Sequence, residues 1–144
     1  MIVLDVNLLL YASDSRAVSH DAARLWLQSV MSGPELIGLP WQTIHAFVRV
    51  STNARITGVQ IPMRRSIARV QQWMDLQHVR VLSPSENHWS LLQRMLIDGQ
   101  VRGPMTTDAQ LAALTIEYGG VLHTTDRDFA RFPGLRWRNP LQDV

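Results

Sequence analysis

Short apolar runs alternate along this chain with longer segments of helical periodicity, and no hairpin turn joins two of the runs. That alternation limits the fold more than any other feature. Strands that never meet through a tight turn must be joined by crossovers, so they lie parallel and helices cover both faces of their sheet. Residues 2–5 form the first run, and 7–12 start a short helix. Residues 19–31 place Ala22, Trp26 and Val30 on one helical face, with Ala23 and Leu27 beside them. A short strand over 36–40 stops at Pro40, and a helix over 41–52 carries Ile44, Phe47 and Val48 on one side.

The second half repeats the pattern. Residues 53–62 read as a loop, and Pro62 opens a helix whose inward stripe is Met63, Ile67, Val70 and Met74. Residues 79–82 form a strand. Ser83, Pro84 and Glu86 have the spacing of a capping box, so the next helix is expected to run from there to about Asp98 and stop at Gly99. A loop at 101–105 leads to a helix over 107–120 with Leu111, Leu114, Thr115 and Tyr118 inside. Residues 121–125 form the last clear strand, and 135–137 suit a short further one. There are no internal repeats or linkers, so residues 1–144 are expected to form one α/β domain.

Composition closes off several classes. With 144 residues, 46% hydrophobic and 18% charged, the chain can bury a real core and is not a disordered polyelectrolyte. It has no cysteine, which excludes disulfides and thiolate metal sites. No apolar run is long enough to span a bilayer and the N-terminus is unlike a signal peptide, so a cytoplasmic protein with no membrane partner is expected. All 14 basic residues are arginine, whose planar fork suits phosphate. The net charge is only +2, so a nucleic-acid surface would need its basic groups gathered on one face.

The acids carry the chemistry. In open parallel sheets ligands bind beyond the carboxyl ends of the strands. Asp5 ends the first strand, Asp126 and Asp128 follow the strand 121–125, and Asp108 begins the helix before it. Each has an ordinary explanation. Asp5 or Asn7 can cap a helix, Asp108 favours a helix dipole, Asp126 can cap a turn, and Asp128 can pair with Arg127 or Arg131. Together, however, they place like charges in one crevice with no lysine to balance them, which calls for a cation. Oxygen ligands without sulfur or paired histidines select Mg2+ or Mn2+ over zinc. Thr124 and Thr125 can hold a bound water or a phosphate oxygen, or simply reflect strand propensity. Glu35, Asp75, Glu86 and Glu117 are expected on solvated helix surfaces or turns. The histidines show no ligand spacing, and the five tryptophans read as core or dimer surface before base-stacking platforms.

The stretches "MIVLDVNLLLYA" and "DAQLAAL…HTTDRDFARFPGL", at this separation, resemble the PIN domain, specifically the VapC-type toxins of bacterial toxin–antitoxin pairs. The resemblance spans essentially the whole chain. It implies a four- or five-stranded parallel sheet, Mg2+-dependent endoribonuclease activity on RNA, a homodimer, and inhibition by a small cognate antitoxin of the VapB type. Carried over by motif, it makes Asp5, Asp108 and Asp126 the metal-binding acids, Asp128 a less constant fourth acid, and Thr124 the hydroxyl beside them. Arg102, Arg127 and Arg131 flank the crevice and are candidates to hold neighbouring phosphates. One departure is clear. The family's usual glutamate, three residues before an arginine in the helix after the second strand, is replaced by Ala46 before Arg49. That replacement motivates an alternative, a catalytically weakened PIN domain acting mainly as an antitoxin-binding module.

Overall fold

The computed structural model describes residues 1–58 and 61–142. Its five strands are β1 (Ile2–Leu4), β2 (Ile37–Pro40), β3 (Val79–Leu82), β4 (Val121–His123) and β5 (Trp137–Arg138). All pair in parallel in the order β3-β2-β1-β4-β5. Seven helices accompany them: α1 (Val6–Ser13), α2 (His20–Met31), α3 (Trp41–Ser51), α4 (Ala54–Thr57), α5 (Met63–Met74), α6 (His88–Asp98) and α7 (Thr106–Glu117). Two 3-10 turns, Gly103–Met105 and Arg127–Arg131, complete the described residues. The expected parallel α/β sheet is therefore present, with five strands.

Two cores lie on the two faces of the sheet. One gathers Leu4, Leu9, Leu39, Phe47 and Trp73, with α1, α2, α3 and α5 over it. The other gathers Val3, Leu122, Met95, Leu111, Leu114 and Phe129, with α6 and α7. Adjacent β1 residues thus face opposite layers, as the two-residue strand period requires. The chain leaves β1 toward β2 and β3 on one side and returns to β4 and β5 on the other. The reversal point is the β1–β4 pair, where Leu4 lies opposite His123. A crevice at such a point is where parallel α/β sheets bind ligands.

Several local expectations are corrected. In α5 the buried residues are Ser66, Val70 and Trp73, whereas Met63 and Ile67 are 51% and 53% exposed. The inward stripe is rotated because Ser66 donates or accepts a 2.8 Å hydrogen bond with Ser51 of α3, which makes a polar residue tolerable inside. In α2 the buried positions are Ala23 and Leu27 rather than Ala22. The expected capping box does not form, and α6 starts only at His88. Tyr118 is exposed and donates its hydroxyl to the Ser83 carbonyl at 2.7 Å. Gly99 does end α6. A Cβ there would meet the Met95 carbonyl at 2.6 Å and the Phe132 ring at 2.9 Å, so only glycine lets α6 close onto the segment after β4. Within the expected loop 53–62, α4 forms a single turn, and residues 59–60 lie outside the described residues.

Candidate active site

Asp5 leaves β1 and caps α1, its Oδ1 accepting the Val6 backbone N–H at 2.7 Å. Its other oxygen, Oδ2, accepts the Thr124 hydroxyl at 2.7 Å. The same Thr124 oxygen accepts the Asp126 backbone N–H at 3.0 Å. Asp126 then caps the 3-10 turn, its Oδ1 accepting the Asp128 N–H at 2.9 Å. Cap and cluster are thus not alternatives: the same carboxylates do both. Thr124 is fully buried and joins the two strand ends.

A second rung runs beside the first, and sequence reasoning missed it. Asn7 does not cap α1. Its Nδ2 donates to the Thr125 hydroxyl at 2.9 Å, and its buried Oδ1 has no hydrogen-bond partner. An amide within an otherwise apolar opening segment was the available signal, but its partner lies 118 residues away.

Asp108 enters from the first turn of α7. Its carboxyl is raised to about 6, first by burial and then by the negative charges of Asp126, Asp5 and Asp128, with Arg131 opposing. Asp5 is also raised, chiefly by burial, and Asp126 adds to the effect against the hydrogen bonds from Thr124 and Val6. The four expected acids therefore share one electrostatic neighbourhood. Among the described residues, no group of three or more Asp, Glu or His is already closed to ligand spacing around one ion. The donor set still fits a hard divalent cation: oxygens only, negative in sum, and lacking a compensating lysine.

The arginines divide. Arg131 acts on Asp108 and donates to the Gly99 carbonyl at 3.3 Å, whereas Arg102 and Arg127 are exposed at the starts of the two 3-10 turns. Among the described residues Asp128 forms an ion pair with neither Arg127 nor Arg131. Ala46 lies half-buried on α3, one turn beyond Gln42, whose Nε2 donates to the Thr107 carbonyl beside Asp108.

The PIN domain family profile matches residues 2–135. This chain is a PIN-domain protein of the VapC ribonuclease family. It is 36% identical to Ribonuclease VapC33 of Mycobacterium tuberculosis over 99% of this chain and 100% of that protein. It is 32% identical to Ribonuclease VapC37 of the same organism over 97% of each. Among solved structures, the sarcin-ricin loop cleaving toxin VapC20 of M. tuberculosis superposes with a TM-score of 0.67 at 19% identity, covering 94% of this chain and 99% of that one. VapBC2 from Rickettsia felis, bound to a promoter DNA fragment, gives 0.68 at 17% identity, covering 96% and 98%. PIN-domain VapC ribonucleases depend on divalent metal, which agrees with the carboxylate set here. No described helix of this PIN domain is long and apolar enough to cross a membrane.

Proposed function

We propose that this PIN-domain protein is a Mg2+-dependent endoribonuclease and the toxin of a toxin–antitoxin pair, with Mn2+ able to replace Mg2+. The observation that carries the reading is the gathering of four acids at the β1–β4 switch point, where Asp5 and Asp126 are joined through Thr124 and Asp108 feels the charges of Asp126, Asp5 and Asp128. Asp5, Asp108 and Asp126 would hold the ion, with Asp128 as a fourth acid. When bound, the ion lowers the pKa of a coordinated water and offsets charge on the phosphoryl oxygens. Thr124 fixes the Asp5 carboxylate while gripping the Asp126 backbone, so both acids are set before substrate arrives. Arg102, Arg127 and Arg131 would neutralise flanking phosphates.

The partner read from the family is a VapB-type antitoxin, and the toxin is expected to be a homodimer. Outside the acid cluster an open groove of about 490 Å³ has Leu10, Tyr11, Phe47 and Ile56 on its walls with Arg65 and Arg69 among them. We assign it to an antitoxin segment that pairs apolar side chains with acidic ones. Met63 and Ile67, left outside the core, extend apolar surface along the same helix as those arginines.

Ala46 favours a second reading, a weakened nuclease that chiefly binds antitoxin. Cleavage of unstructured RNA after EDTA treatment and re-addition of single ions separates the two. Mg2+ and Mn2+ should restore cutting and Ca2+ should do so poorly, because Ca2+ prefers longer bonds and more ligands. Undiminished cutting in EDTA contradicts the metal mechanism, and no cutting with any ion favours the binding module.

A further inference from the structure

The helix α3 presents Trp41, His45 and Arg49 at four-residue intervals, all exposed. That spacing stacks them along one face of the helix. Trp41 is 43% exposed, and its ring lies 5.9 Å from that of His45, inclined by 38°. Neither ring belongs to either core.

The position of this stripe is fixed by two hydrogen bonds from the residues that follow Trp41. Gln42 donates to the carbonyl of Thr107, which precedes Asp108, at 3.2 Å. Thr43 donates to the carbonyl of Leu4, which precedes Asp5, at 2.8 Å. The first turn of α3 is thereby tied to β1 and α7, two of the three segments that deliver the clustered acids. Ala46 follows Gln42 by one turn on the neighbouring flank of α3 and is half-buried. It contributes neither charge nor bulk there.

We propose that Trp41 and His45 form a stacking platform for an unpaired nucleobase of the RNA beside the cleaved phosphodiester, with Arg49 holding the phosphate that follows. The inference rests on the ribonuclease reading and adds a binding subsite to it. A base is the occupant because a half-open indole backed by an imidazole offers a flat aromatic face, and a cation one turn further suits a backbone phosphate. The substrate itself brings such a base next to the acids. Any π-face can stack, so the platform favours single strands over sequence. It also supplies attraction where the carboxylates repel the backbone.

The test is binding of a fluorescein-labelled, unstructured oligoribonucleotide in EDTA, followed by anisotropy. Trp41→Ala should weaken binding about tenfold, the scale of one lost base stack, while Trp41→Phe retains most of it. Arg49→Ala should reduce the dependence of affinity on salt by about one counterion. In cleavage with Mg2+, Trp41→Ala should raise KM by a similar factor and change kcat less. Unchanged affinity and KM for Trp41→Ala overturn the platform while leaving the ribonuclease reading intact. If Trp41→Ala instead turns a dimer into a monomer in sedimentation, the stripe is a protein interface and the proposal is wrong. A wild-type protein that neither binds nor cuts RNA removes the ribonuclease reading and the platform with it.

Discussion

At the carboxyl edge of β1 and β4, Asp5 and Asp108 are pushed above the ordinary carboxylate range, whereas Glu117, at the junction of α6 and α7, is held below it. The Glu117 side chain is itself enclosed, with 3% exposure. Burial raises it too, but hydrogen bonds from Ser85 and His88 outweigh that effect. One oxygen accepts the Ser85 backbone N–H at 2.8 Å and the Ser85 hydroxyl, and the other meets His88 Nδ1 at 2.5 Å. Its needs are met inside the chain, and it fastens the loop before α6 to the end of α7. Asp108 has the opposite surroundings: three carboxylates and one opposing arginine. A buried acid whose partners are donors is a structural clamp. One whose neighbours are acids has the charge pattern suited to a cation.

The sharpest way to break this contrast is to remove one acid from each place. Asp108→Asn should lower RNA cleavage by about 100-fold or more, the scale on which single groups stabilising transition-state charge act. Its metal-free thermal midpoint should equal or exceed that of the wild type, because repulsion is relieved. Glu117→Ala should do the reverse. Breaking a buried pair and leaving His88 and Ser85 without their acceptor costs about 3 kcal/mol of stability, read by urea unfolding. Cleavage per folded molecule should stay near the wild-type rate. If Glu117→Ala destroys cleavage without destabilising the fold, the division between clamp and site is wrong.

Thr124→Val sharpens the contrast on the acid side. It removes the donor to Asp5 and the acceptor of the Asp126 N–H, leaving buried polar groups unpaired. A loss of about 1–3 kcal/mol is expected. Unlike Asp108→Asn, this variant should lose stability and activity together, and an unaltered midpoint would remove Thr124 from the joint.

The smallest effect is the pH dependence of metal-free stability. Asp108, at about 6, and Asp5 are raised in the folded state, so they bind more protons folded than unfolded as pH falls below about 6. Stability should therefore rise as pH drops from 7 toward 5. Glu117 is lowered, so its contribution persists above its unfolded value near 4.5 and fades only below it. Saturating Mg2+ should flatten or reverse the rise. A wild-type protein already less stable at pH 5 than at pH 7 without metal contradicts the mutual repulsion.

What was legible in the sequence follows the range of the interactions. The strand–helix alternation depends on residues a few positions apart, and the parallel sheet followed from it. The convergence of Asp5, Asp126 and Asp128 was legible because strand ends in such a sheet gather at one edge, and that of Asp108 because it opens the helix leading into one of those strands. The errors share a cause in distant partners. Ser83–Glu86 has capping-box spacing, yet Ser85 is taken by Glu117 and the Ser83 carbonyl by Tyr118, more than thirty residues on. Glu117 looked like a solvated helix acid for the same reason. Ser66 was absent from the expected inward stripe of α5 because its partner, Ser51, belongs to another helix. The Asn7–Thr125 rung joins the two ends of the chain, which no local pattern reports.

The most direct measurement is the thermal midpoint of wild type and Asp5→Asn across a Mg2+ titration at pH 7. Without metal, relief of repulsion from Asp126 in Asp5→Asn is offset by loss of the acceptor for the Thr124 hydroxyl, so the two midpoints should lie close together. With Mg2+ at about 100 times its dissociation constant, wild type should gain about 2.7 kcal/mol of stability and pass the variant, which should respond weakly. Equal Mg2+ responses in the two proteins, or none in the wild type, would contradict a cation held by the carboxylates at the β1–β4 edge.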